Sequence, residues 1–411
     1  MIRICSLPLF STFLFLLLWN LESCNGLPSI SLPRKSPLAT TTSLYAGLSN
    51  SRREVLAVTG IASASIFATS ELASASDIVA NPKTFTPKLV EALEVATNPT
   101  AGQFCFPALT PPFNKRATYR YTLGRNAWAF EQLLTFSNVT ATIRSNVIKL
   151  ESGGLWVNSP QFPTGELCAL LDDLNAPVEH IVLPCNAFEH KAPMKPFTRR
   201  YPDAKVWVSP GQYGVLGTCG KSLEERFTKK SGPTSEVAFC HRPTRTLVAT
   251  DSVIFVNDAA PDIFKTYFEE STVGDETFWP RTVLQAVFLP LRQDDNNMYP
   301  GYESIKNRLV RAPILRALVD ARAPNEVKSW IETQTTWDFD RIITSHFASP
   351  IAATPDNFRS AFDYLFEEEE KNIDSSIKCQ DWNLLDSINK FVAKTNAGAP
   401  ATFDFTRGCS R

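Results

Sequence analysis

The chain has 411 residues, of which 44% are hydrophobic and 20% charged, a balance that fits a folded globular protein and excludes a disordered one. Lys and Arg total 41 against 42 Asp and Glu, a formal charge of −1, so no basic excess exists to meet nucleic acid or an anionic lipid surface. Nine Cys without a C-x-x-C pair are too few for a disulfide scaffold, and four His, at 180, 190, 241 and 346, leave little material for imidazole chemistry.

The first 75 residues read as three addresses in series. Residues 1–26 carry Arg3, an apolar run from Phe13 to Trp19 and small or polar residues near Cys24 and Gly26, the order of a secretory signal. That run is too short to span a bilayer, which needs about 20 apolar residues. Residues 27–50 are rich in Ser, Thr and Leu, contain Arg34 and Lys35 and no acid, and read as transit-like. Residues 51–75 join Arg52-Arg53, an apolar stretch from Val55 to Phe67 and Ala73-Ser74-Ala75, the parts of a twin-arginine export signal. Together they resemble the tripartite leaders of thylakoid-lumen proteins in algae whose plastid is reached through the endomembrane system. The expected location is the thylakoid lumen, with the stroma as alternative, and the mature chain is expected not to span a membrane.

Residues 77–115, Pro-rich and aperiodic, predict an extended arm, and residues 118–398 the main domain. Thr135 to Leu150 predicts strand through Val139, Ile143, Val147 and Ile148, and Leu155-Trp156-Val157 a second strand after Gly153-Gly154. Thr164 caps a predicted helix whose apolar face is Leu167, Leu170, Leu171 and Leu174. A strand over 178–183, a helix over 192–201 and a strand over 204–208 follow. Strands are next expected at 236–240 and 246–250. Residues 261–333 read as a helical insertion, with 305–322 amphipathic. A late strand over 339–345 precedes two closing helices, at 356–371 and 381–394. This rhythm predicts an α/β domain with strands covered by helices.

Three strands run into loops carrying metal-binding residue types: Ile181 through Cys185, Glu189 and His190; Arg245 through Asp251; and Asp340 through His346. Two carboxylates and two imidazoles suit zinc, iron or manganese. The order of these segments resembles the metallo-β-lactamase fold, an αββα sandwich. More closely, the chain is similar to an uncharacterised plant, algal and cyanobacterial family, the domain of unknown function 4336. The likeness rests on Gly153-Gly154-Leu155-Trp156-Val157, the Ser159-Pro160 to Pro163-Thr164-Gly165-Glu166 stretch, Glu189-His190-Lys191, Tyr201-Pro202-Asp203-Ala204, His241 through Asp251 and Trp337 through His346, and spans roughly residues 118–370.

The resemblance removes as much as it implies. Lactamase-fold hydrolases carry H-x-H-x-D-H where this chain has Cys185, Asn186, Ala187, Phe188, Glu189 and His190. Cys185 and Ala187 replace both histidines of the first metal site, and Ser231 to Thr234 offers no third. The second site matches Glu189, His190, Asp251 and His346, implying one Zn, Fe or Mn ion with His190 and Asp251 as catalytic candidates. Cys185 is placed at the edge of the same site. A metal-free alternative uses the same groups as a buried network, Glu189 and His190 with Lys191, and Asp251 with His346 or backbone amides. Three functions follow: a single-metal hydrolase, a non-catalytic protein binding a small molecule or a photosynthetic partner, and a thiol-regulated lumen protein working through Cys185 and a second Cys. His180 and His241 are expected to be structural. Asn138-Val139-Thr140 is expected to stay unglycosylated, and any disulfide among the remaining cysteines is left unpaired.

Overall fold

The computed structural model describes residues 109–110, 116–136, 139–209, 235–369, 377–394 and 400–410. The three leader segments, most of the expected arm, Asn138 and Ser231 to Thr234 lie outside these residues.

Seven of the described strands build the larger sheet. They are β1 (Leu109–Thr110), β2 (Tyr119–Gly124), β3 (Ala127–Phe136), β4 (Val139–Lys149), β5 (Leu155–Asn158), β6 (Val178–Leu183) and β7 (Lys205–Val208), in the order β1-β3-β4-β5-β6-β7, with β2 also on β3. β3 and β4 form a long antiparallel ladder from Ala127↔Ile148 to Phe136↔Val139. β5, β6 and β7 run parallel. Parallel neighbours need crossovers, and helices supply them: α1 (Gly165–Asp172) between β5 and β6, and α2 (Phe188–Lys191) with α3 (Met194–Arg200) between β6 and β7. Thr164 caps α1 as its position predicts, its Oγ1 accepting from the Leu167 N–H at 3.1 Å.

The second sheet runs β13-β12-β9-β8, made of β8 (Phe239–His241), β9 (Thr246–Val248), β12 (Arg341–Ile343) and β13 (Ile351–Ala352), with β9 and β12 parallel. A separate antiparallel pair joins β10 (Val253–Phe255) to β11 (Leu309–Arg311).

Side-chain parity assigns the layers. On β4 and β5, Val147, Leu155 and Val157 pack with Leu167 and Leu171 of α1 and Phe197 of α3. The opposite face of the same strands presents Ile148 and Trp156, which pack with Leu123, Ala127 and Ala129 of β2 and β3 and with Ile343 of the second sheet. Beyond that sheet, Leu247 and Ile342 pack under Val327 and Ile331 of helix Pro324–Thr335 and under Phe358 and Phe362. The order helix, sheet, sheet, helix is the α/β sandwich that the strand and helix rhythm implied.

Four expectations need correction. Residues 119–134 carry no predicted element yet form β2 and most of β3, where Glu131 and Gln132 stand within the strand. Both are buried, Glu131 against Arg144 and Gln132 donating through Nε2 to Thr118 Oγ1 and the Phe162 carbonyl. The helix expected over 305–322 is broken by β11, since Leu309 to Arg311 pairs with β10 and Pro313 restarts the chain as short helical turns. Residues 188–191, read as loop, form a helical turn, and the helix expected at 192–201 begins only at Met194, after Pro193. The helix expected over 356–371 is two separate turns, Pro355–Ser360 and Asp363–Phe366. The C-terminal helix, Asn383–Lys394, matches its expectation, and a disulfide joins Cys379 to Cys409. No described helix is long and apolar enough to cross a membrane.

Candidate metal centre

The three strands singled out in the sequence end together. β6 delivers Cys185 and then α2, which carries Glu189 and His190. β9 delivers Asp251, and β12 delivers His346. Asp251 stands at the centre. Its Oδ1 lies 3.1 Å from His190 Nε2 and 3.2 Å from His346 Nε2, and its Oδ2 lies 3.6 Å from Cys185 Sγ. The imidazoles meet edge to face with centroids 5.3 Å apart. Two overlapping donor groups result, Cys185 with His190 and Asp251, and Glu189 with His190 and His346. Within each, the ligand atoms lie within 4.8 Å of one another. The four residues implied by the resemblance are therefore brought together, and Cys185 joins the donors themselves.

The rings are fixed from behind. His346 Nδ1 lies 2.6 Å from the Thr142 carbonyl, which can only accept, so Nδ1 carries the proton. With Nδ1 so engaged, Nε2 faces the Asp251 carboxylate oxygen. That contact is repulsive unless a proton or a metal cation lies between the two atoms. His190 Nδ1 is held 2.5 Å from Ser159 Oγ. A histidine anchored through one ring nitrogen keeps the other for a ligand, as metal-binding imidazoles do.

Backbone geometry aims these anchors. Ser159, immediately after β5, has φ 54°, and Phe347, next to His346, has φ 56°. For a bulky residue the left-handed region costs about 1–3 kcal/mol and must be held by its surroundings. Arg144 of β4 does the holding. It donates to the Thr344 carbonyl at 2.8 Å and the Phe347 carbonyl at 2.7 Å, and pairs with Glu131, both side chains buried. The Phe347 N–H donates to Thr142 Oγ1 at 3.1 Å. The Asp251 loop is held by Glu236, whose carboxylate accepts from the Thr250 N–H at 2.8 Å, the Asp251 N–H at 3.2 Å and Ser252 Oγ at 2.9 Å. The sequence assigns no role to Thr142, Arg144, Ser159 or Glu236. A polar residue inside a strand is the only local sign of the first two, Ser159 enters only through the family likeness, and nothing distinguishes Glu236.

Burial opposes the charged form of His190, but the charges of Asp251, Glu189 and Glu236 outweigh it and raise the pKa. Burial alone would raise the Asp251 pKa, yet the His190 charge and the hydrogen bonds from His190 and His346 bring it below the usual carboxylate range. The Cys185 thiol is pushed well up by burial and by Asp251, Glu236 and Glu189. Burial and the Asp251 charge raise Glu236. A thiol so placed is a poor nucleophile without a metal. Of the other histidines, His241 Nδ1 meets Thr244 Oγ1 at 2.7 Å, and His180 Nδ1 accepts from Trp207 Nε1 at 3.1 Å on the larger sheet. Both stand apart from the donor groups.

Two stretches of the chain, one holding Cys185, Glu189 and His190 and the other His346, bear a family likeness. Residues 125–215 and 289–364 match the model of a domain of unknown function, DUF4336. The DUF4336 match covers less than half of the chain, and Asp251 lies between its two segments. No curated protein matches the chain. Among solved structures, a metallo-beta-lactamase from Pontibacter korlensis matches 60% of this chain and 99% of its own, at 11% identity and a TM-score of 0.34.

Proposed function

We propose that the chain holds one zinc, iron or manganese ion between His190, His346 and Asp251, with Glu189 and Cys185 as further donors, and acts as a single-metal hydrolase. The observation that carries this reading is the meeting of two Nε2 atoms on one Asp251 oxygen while the His346 Nδ1–H is spent on the Thr142 carbonyl. Imidazole, carboxylate and thiol together fit zinc or iron better than magnesium or calcium, which prefer oxygen. Such an ion supplies Lewis acidity that activates water and polarises a carbonyl or phosphoryl oxygen. The chain's own part is to hold the rings through Ser159 and Thr142, to hold the Asp251 loop through Glu236, and to present Asp251 as ligand and proton acceptor.

A non-catalytic protein is the second reading. Asp251 is already paired with both histidines, which satisfies the buried groups without an ion once protons are shared. For location we retain the thylakoid lumen, with the stroma as alternative. The Cys379–Cys409 disulfide supports an oxidising compartment.

The test is elemental analysis of the purified protein beside His346→Ala and Asp251→Ala. About one metal per chain, lost in both folded variants, is expected. A folded wild-type protein that takes up no zinc, iron or manganese when each is offered defeats the metal reading. Metal without turnover on ester, amide and phosphoester substrates favours the non-catalytic one.

A further inference from the structure

Beside the metal centre lies a second polar group that the proposed reaction does not use. On β4, Thr142, Arg144, Asn146 and Ile148 face the second sheet in turn. Thr142 and Arg144 grip residues 344–347, and Ile148 packs with Ile343. Asn146 therefore sits over the end of β12, between that grip and the apolar layer. Its direct cross-strand partner is Asn158 on β5, whose neighbour on the same face is Trp156. Both asparagines are essentially fully buried, at 1% and 0% exposure. Neither the oxygen nor the nitrogen of either amide has a hydrogen-bond partner among the described residues.

Two hydroxyls from the opposite sheet share this condition. Thr250 follows β9 and Ser345 follows β12, and the Ser345 N–H donates to the Thr250 carbonyl at 3.1 Å. Thr250 Oγ1 and Ser345 Oγ are likewise buried without a partner among the described residues. Each stands next in sequence to a metal-site residue, Asp251 and His346.

We propose that Asn146, Asn158, Thr250 and Ser345 bind a neutral group able both to donate and to accept hydrogen bonds, the chemistry of water and of a substrate amide or hydroxyl. Isolated unpaired polar atoms occur in proteins, but six in two neighbouring pairs, one pair on each sheet, point to a partner. The two amide nitrogens require an acceptor, which a cation cannot supply. The two amide oxygens require a donor, which a carboxylate or a fully ionised phosphate cannot supply. Asp251 and Glu236 lie nearby and repel anions, and the adjacent Arg144 is engaged by Glu131 and two carbonyls. The site thus selects neutral polar groups beside the metal centre. It stands apart from metal binding, since none of the four side chains belongs to the donor groups.

The experiment is NMR on the 15N-labelled full chain, following the side-chain amides of Asn146 and Asn158, assigned by single Asn→Leu variants. Formamide is the neutral probe and acetate the anionic control. Direct cross-relaxation of both amides with long-lived water is expected. Saturable shifts with formamide and none with acetate identify a substrate-type group as the occupant. Water contacts that formamide leaves untouched identify solvent. Amides without contact to either, or shifts with acetate alone, overturn the proposal. A second measurement uses Asn146→Leu/Asn158→Leu, which keeps the number of side-chain heavy atoms while adding volume. Leucines relieve a dry unpaired pair, so a raised or unchanged melting temperature also overturns the proposal. Metal content of the same samples reads the metal centre separately.

Discussion

Arg144→Met is the substitution whose cost the structure specifies best. It removes donors from the Thr344 and Phe347 carbonyls and leaves the Glu131 carboxylate buried without its cation. Breaking a buried pair by deleting one partner costs about 3–5 kcal/mol, most of it the stranded charge. Glu131→Leu in the same chain removes that charge. The double variant should then lose only about 1–3 kcal/mol, the share of the two carbonyls. A coupling of about 2 kcal/mol or more between the positions is therefore expected, well above additivity error. The assay is urea unfolding of the four metal-free proteins, compared at constant m. Phe347 at φ 56° depends on the same clamp, so zinc affinity in Arg144→Met should fall by about tenfold or more even where the protein is folded. A single-variant loss under about 1 kcal/mol, or a double variant as unstable as the sum of the singles, refutes the reasoning.

Other outcomes follow from the same geometry. In the metal-free protein His190 has a raised pKa, so its charged form adds stability in full below about pH 6.5 and loses it as pH rises through the folded value. Asp251 is depressed, so its contribution is present above about pH 3.9 and is lost as pH falls below that. Melting temperature against pH should show both slopes in the wild type, with the acid slope absent and the His190 slope changed in Asp251→Asn; identical profiles would contradict the assignment. Cys185, with its thiol pushed up, should resist iodoacetamide at pH 7.5 in the folded protein and react after unfolding, read by mass spectrometry. Prompt labelling would instead favour thiol regulation. Reducing Cys379–Cys409, 30 residues apart, should cost about 3–4 kcal/mol, unless Arg316, which donates to the Phe405 and Arg407 carbonyls, holds the tail in place. Comparison with Arg316→Met separates the two supports.

The chain disclosed those parts of the molecule whose information is local. Apolar β6, capped α1 and the amphipathic C-terminal helix each announce themselves within a dozen residues. His190, Asp251 and His346 could be found because each sits just beyond such a strand. What stayed hidden depends on partners far along the chain. Arg144 meets its carbonyls 200 and 203 residues away, and Glu236 reads as an ordinary acid until the 250–252 loop folds against it. β2, β3 and β11 were missed for the same reason, their polar residues being satisfied only in the assembled sandwich. Cys185, expected at the edge of the site, has its sulfur 3.6 Å from Asp251 Oδ2, its backbone bridged to Glu236.

Much of the molecule's chemistry hangs on the alignment of β4 with its neighbours. Along one edge of that ribbon, Thr142 and Arg144 govern a histidine, Asn146 presents an amide, and Ile148 joins the apolar layer. Slipping the strand by one residue would turn all four toward the helices and bring Ile143, Ser145 and Val147 into their places. A single deletion within Val139–Lys149 should therefore abolish the donor arrangement, the amide pair and the inter-sheet packing at one stroke. Changes of length in the connection at Arg125–Asn126 fall between β2 and β3, so the β3–β4 register, and with it the donor arrangement and the amide pair, should stay intact.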